Sequence, residues 1–191
     1  MSNVAVSIVS RAGLVVLFLL AATGSHSAVC AQQPGRSTDT SMQLAHSDHE
    51  FEFTIKAPMG IVAPLFGAEK ERAWAPGWDP QFVWPQPASD RQGMVFKIAH
   101  HDKTAIWVNT RYEPQQGRFQ YTYVIPDVLV TVITIDVARV GNASTHVAVE
   151  YQRTALAADA NEVVQHMGQA DSESGPKWQQ QIESYLAKAA K

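Results

Sequence analysis

The chain has 191 residues, of which 46% are hydrophobic and 17% charged, and a formal net charge of -3. That is enough apolar material for one packed domain, and it excludes a disordered chain. There is no run of Lys or Arg and no internal repeat, so neither a nucleic-acid footprint nor a repeat architecture is expected.

The first element is an export pattern. Arg11 precedes an apolar run, Leu14 to Ala22, that is short for a bilayer span but fits the core of a secretory signal. Val29-Cys30-Ala31 offers a small-x-small cleavage site, giving a signal peptide over 1–31 and a periplasmic or secreted protein without stable membrane insertion after cleavage. An uncleaved anchor is the alternative. A lipoprotein site at Cys30 is disfavoured by the preceding Ser27-Ala28-Val29. Cys30 is the single cysteine, so the mature domain has no disulfide. Residues 32–49 are rich in Ser, Thr, Gln and His without apolar period, and read as a flexible leader. The domain proper spans 50–191.

Phe51 to Ala57 alternates strictly, as a strand with one buried face does. Gly60 to Phe66 and Ala68 to Trp74 read as two short helices or one bent one, with a bend near Pro64. Ala75-Pro76-Gly77 is a turn in which Gly77 needs a positive backbone angle. Strands follow over Gln81 to Trp84, Met94 to Ile98, Thr104 to Tyr112, Arg118 to Ile125, Val128 to Val140 and Thr145 to Arg153. The turns Glu113 to Gly117 and Gly141 to Ala143 separate hairpin partners. Asn161 to Gln169 is weakly helical. Ser174-Gly175-Pro176 suits a helix start with Ser174 as cap. Trp178, Ile182, Tyr185, Leu186 and Ala189 then line one helix face. The sum is an α+β fold: an antiparallel sheet of about seven strands around a long C-terminal helix, with two short helices after the first strand.

A curved sheet closed by one helix tends to leave a ligand-sized space. Strand parity sets Phe51, Phe53 and Ile55 on one face, with Met94, Phe96 and Ile98, with Phe119, Tyr121, Tyr123 and Ile125, and with Val147, Val149 and Tyr151. Parity is ambiguous over Thr104 to Tyr112, where Ile106 and Val108 oppose Trp107 and Asn109. The candidate ligand-binding residues are Trp74, Trp84, Phe96, Trp107, Tyr121, Tyr123, Tyr151, Met167, Trp178 and Ile182. Each of these could equally be ordinary filled core. No carboxylate or His falls clearly on the apolar face. His100, His101 and Asp102 read as a solvated turn rather than a metal site. Nucleophile elbow, phosphate loop and dinucleotide fingerprint are all missing, so no metal or cofactor is expected. Asn142-Ala143-Ser144 matches a glycosylation acceptor, or simply a turn.

The stretch Glu71-Arg72-Ala73-Trp74-Ala75-Pro76-Gly77-Trp78-Asp79-Pro80-Gln81-Phe82 resembles a signature of one branch of the SRPBCC (START-like) superfamily. Gly93 to Phe96, Thr110 to Pro114, Thr154 to Leu156, Trp178 and Tyr185-Leu186 agree in order. The superfamily includes plant pathogenesis-related allergens, lipid-transfer domains and polyketide cyclases. The resemblance covers about residues 51–188 and implies the helix-grip fold with a mostly apolar cavity. Members of this branch are usually cytoplasmic, so the export signal is a departure. Three functions compete. One is a carrier of an apolar or amphipathic small molecule (a lipid, polyketide or aromatic). Another is a cyclase or dehydratase acting on such a ligand. The third is an envelope protein-interaction module with a filled core. A buried Asp, Glu or His inside the cavity would favour the enzyme.

Overall fold

Strand β1 (His46–Ile55) opens a seven-stranded antiparallel sheet in a computed structural model that describes residues 43–100 and 102–189. The export signal, Cys30, most of the leader and His101 lie outside these described residues. The other strands are β2 (Gln81–Trp84), β3 (Val95–His100), β4 (Lys103–Glu113), β5 (Arg118–Ile125), β6 (Leu129–Arg139) and β7 (Thr145–Ala155). Their order is β1-β7-β6-β5-β4-β3-β2, so β2 to β7 form a meander and β1 returns beside β7. Helices α1 (Met59–Val62) and α2 (Ala68–Glu71) flank a 3-10 turn at Ala63–Phe66 that carries Pro64 in its first turn. Helices α3 (Asn161–Ser172) and α4 (Gly175–Ala189) complete the chain.

Three departures from the sequence reading have local causes. Strand β1 begins at His46, within the stretch read as leader. Its first five residues are polar, but their backbone pairs with Glu150 to Thr154 of β7, and Ala155 N–H donates to the Ala45 carbonyl at 2.9 Å. Backbone pairing therefore extends the strand where no side-chain alternation announces it. Parity in β4 is ambiguous because the strand carries a bulge. The register jumps between Asn109, opposite Tyr121, and Arg111, opposite Gln120. Ala105 and Asn109 are thus buried before the bulge, while Tyr112 meets Phe119 after it, ring centroids 5.5 Å apart. Ser174 does not cap α4 with its hydroxyl, which donates backwards to the Ala170 carbonyl of α3 at 2.9 Å.

The core lies between the sheet and the helices. Phe51, Phe53, Ile55, Phe96, Phe119, Tyr121, Tyr123, Ile125, Val147 and Val149 are buried on one face of the sheet, as their alternation requires. Phe66 of the 3-10 turn and Ile182 of α4 are fully buried against them. A buried ion pair joins β7 to α3. Arg153 meets the Asp171 carboxylate with both Nε (2.6 Å) and Nη2 (2.7 Å). Its Nη1 donates to Thr131 Oγ1 at 2.9 Å and to the Tyr123 hydroxyl, and the guanidinium lies 4.7 Å from the Tyr151 ring centroid. Parity already sets Arg153 on the face of Val149 and Tyr151. Its partner, Asp171, comes from a helix whose docking no strand pattern reveals.

Candidate functional site

A cavity of about 260 Å³ opens between the 71–78 segment, the sheet and α4. It is lined by Trp74, Trp78, Trp107, Tyr121, Tyr151 and Trp178, with Ile133 and Ile135 from β6 as aliphatic floor. Lys177 and Gln181 of α4 stand beside it together with Glu71, the last residue of α2.

The wall is built by the segment between α2 and β2. Ala75-Pro76-Gly77-Trp78 closes a tight turn with Trp78 N–H donating to the Ala75 carbonyl at 3.2 Å. Pro76 presets its own φ, and Gly77 adopts φ +80°, a region that a side chain penalises. Arg72 staples the far end by meeting Glu69 (2.9 Å), Asp79 (2.6 Å) and the Pro80 carbonyl. Trp74 and Trp78 are thereby carried to the two sides of the turn. Their indole N–H groups donate to the carbonyls of Leu65 (2.8 Å) and Ala68 (2.7 Å). The Tyr121 hydroxyl donates to the Phe66 carbonyl at 2.6 Å. Three aromatic residues thus spend their donors on one short backbone stretch.

The remaining rings interlock. Trp178 packs edge-on against Trp74 with centroids 5.4 Å apart, and Trp107 packs edge-on against Trp78 at 5.3 Å. Trp107 also stacks on Tyr123 at 4.2 Å, and its own Nε1, out of reach of solvent, has no acceptor.

Glu71 is the polar exception. It is 7% exposed, and among the described residues no donor or cation meets its carboxyl. Burial, with the nearby Asp90 carboxyl adding to it, pushes Glu71 up from the ordinary 4.5 to about 8. Asp90 is itself held above the usual carboxylate range by burial, although it accepts hydrogen bonds from the N–H groups of Glu69 (2.8 Å) and Lys70 (3.3 Å). Burial likewise raises the Tyr121 and Tyr151 phenols, so both are neutral near pH 7. At that pH the site presents a protonated carboxyl among uncharged rings.

Of the residues singled out from sequence, Trp74, Trp107, Tyr121, Tyr151 and Trp178 line the cavity. The other five lie elsewhere. Trp84 is 48% exposed at the end of edge strand β2, under the Arg91 guanidinium. Phe96 is fully buried behind Trp107. Tyr123 is covered by Trp107 and engaged by Arg153. Met167 lines a separate hollow with His100, Glu162, Val163 and His166, and Ile182 is core. Trp78 and Glu71 belong to the signature stretch but are not among the candidate ligand residues, and neither is the β6 floor. The expectation that no carboxylate reaches the apolar side is corrected by Glu71. It arrives from a four-residue helix, where strand parity has nothing to say.

No family model and no curated protein matches this chain. Solved structures do. Norcoclaurine synthase from Thalictrum flavum, in complex with dopamine and hydroxybenzaldehyde, matches at TM-score 0.51 and 10% identity, over 73% of this chain and 91% of that one. The protein Ara h 8.0201 matches at TM-score 0.52 and 13% identity, over 75% of this chain and 99% of that one. The di-domain ARO/CYC protein BexL matches at TM-score 0.55 and 16% identity, over 73% of this chain and 46% of that one. At such identities the likeness concerns the fold. The chain has the helix-grip fold of these proteins, a curved seven-stranded antiparallel sheet closed by a C-terminal helix.

Proposed function

We propose that this protein is an SRPBCC-type protein that binds a compact, amphipathic small molecule in the cavity between α4 and the sheet. The carrying observation is an open space walled by six aromatic rings around one unpartnered carboxyl. A protein holding a filled core for protein contacts has no use for such a space, which weighs against an interaction module. At about 260 Å³ the cavity is slightly below the usual range for small-molecule pockets. That favours a ligand of one or two rings over a sterol or a long acyl chain. Burial of its apolar surface supplies the affinity, at roughly 25 cal/mol per Å² before association costs.

Four of the five tryptophans line the cavity, and the fifth, Trp84, stands outside it. Intrinsic fluorescence of a Trp84→Phe variant therefore reports on the site alone. Titration with a panel of one- and two-ring aromatics should give saturable quenching with at least one class. Ile133→Phe, which crowds the floor, should weaken it in a protein that still melts cooperatively. The absence of any saturable response to neutral and cationic aromatics alike would refute the binding reading.

A second reading, a cyclase or dehydratase, is favoured by Glu71. A buried carboxyl titrating at about 8 is suited to proton transfer at neutral pH. Turnover lost in Glu71→Gln with ligand binding retained would establish it. We also propose export through the pattern at Arg11 to Ala22. N-terminal sequencing of protein from its native host should begin near Gln32, and an intact Met1 in membranes would indicate an anchor.

A further inference from the structure

Resting on the binding reading above, we propose that the cavity selects an organic cation, an ammonium group on a compact apolar body, with Glu71 as its counter-ion and the tryptophans as its cage. The argument begins with the donors. Trp74, Trp78 and Tyr121 aim their N–H and O–H groups away from the cavity, at the carbonyls of Leu65, Ala68 and Phe66. What they leave to the cavity is ring carbon, whose π clouds attract cations and repel anions.

The second strand of the argument is Glu71 itself. Its carboxyl is buried in the cavity wall, and no Lys, Arg or hydrogen-bond donor of the described residues engages it. A neutral apolar ligand would leave that group unpaired and seal it from water, at the usual cost of an unmet buried polar group. An anionic ligand would add repulsion. A cation answers both features: it pairs with the carboxylate and rests against the rings.

The other charged groups fit this assignment. Asp90, behind Glu71, adds negative potential. Lys177 of α4 is the cationic side chain at the cavity, but it is exposed and forms no ion pair with Glu71. Tyr121 and Tyr151 are neutral. Binding a cation then drives Glu71 to release its proton. Affinity for a cation that does not itself titrate must therefore rise with pH through the range in which the empty site is protonated.

The test compares phenyltrimethylammonium with its uncharged isostere tert-butylbenzene on the Trp84→Phe protein, using fluorescence and calorimetry from pH 6 to pH 9. The cation should bind roughly tenfold or more tightly than the isostere near neutral pH, as one desolvated cation–π contact and one ion pair predict. Its affinity should climb about tenfold per pH unit below the Glu71 titration and level off above it. Glu71→Gln should abolish both the preference for the cation and its pH dependence in a protein that still melts cooperatively. Should that variant fail to fold, the pH profile of the Trp84→Phe protein decides alone. Equal affinity for the two probes, or a pH-independent preference, overturns the cation assignment and leaves the binding reading standing. Silence of both probes while the neutral aromatic panel quenches also overturns the cation alone. Silence of every compound overturns both.

Discussion

Replacing Glu71 by Gln isolates the energetic burden of a carboxyl buried without a partner. In the unfolded chain Glu71 gives up its proton near 4.5, whereas in the folded protein it keeps it up to about 8. Between these values the folded state holds more protons than the unfolded one. The contribution of Glu71 to stability is fully present below pH 4.5 and is lost as pH rises through 8. The linkage ceiling for a displacement of that size is about 5 kcal/mol. Gln keeps the shape and does not titrate. Urea unfolding of both proteins, at half-unit steps from pH 5 to pH 9.5, gives the stability difference directly. His residues and other carboxyls titrate in both proteins and largely cancel. The difference should move in favour of Glu71→Gln by at least about 2 kcal/mol over this range, most steeply between about pH 5.5 and 7. Parallel pH profiles would mean that the Glu71 carboxyl is hydrated in the folded state, and the reasoning about its desolvation would be refuted.

The Arg153–Asp171 pair should behave as a unit. Arg153→Met and Asp171→Asn each leave a buried charge without its partner and should cost about 3–5 kcal/mol in urea unfolding. The double replacement Arg153→Met with Asp171→Leu should recover more than half of that, and additive losses would show that the pair has no coupling. The positive-φ glycines should differ sharply in tolerance. At Gly77 (φ +80°) an added Cβ meets nothing within 4 Å, so Gly77→Ala costs only the backbone strain, about 1–2 kcal/mol. At Gly117 (φ +69°) the same Cβ would lie 2.0 Å from the Val137 carbonyl oxygen. Gly117→Ala should therefore lower the melting temperature much further, by at least twice the loss at Gly77, and equal losses would contradict the contact. Ile133→Phe should cost about 1–3 kcal/mol in the free protein as overpacking, read by thermal melting, and less if the cavity absorbs the ring.

Much of this protein can be read along the chain because its strands are amphipathic ribbons. Alternation at Phe51 to Ile55, Phe119 to Ile125 and Val147 to Tyr151 determined which faces are buried, since side chains of a strand have a period of two. Helical spacing from Trp178 to Ala189 determined α4, and Pro76-Gly77 determined the turn, because Pro and Gly dictate backbone angles locally. Tertiary structure decided what local periodicity cannot carry. The bulge after Asn109 reassigned the faces of β4. Cross-strand pairing added His46 to Glu50 to β1. Close stacking of Trp107 on Tyr123 put the one at the cavity and the other behind it. Glu71 shows the limit most clearly. In sequence it is one charged residue in Glu69-Lys70-Glu71-Arg72, as polar as a solvated helix face. Only the fold, by bringing Trp178 of α4 and Tyr121 of β5 around the α2 segment, buries it and makes it the polar group of an aromatic cavity.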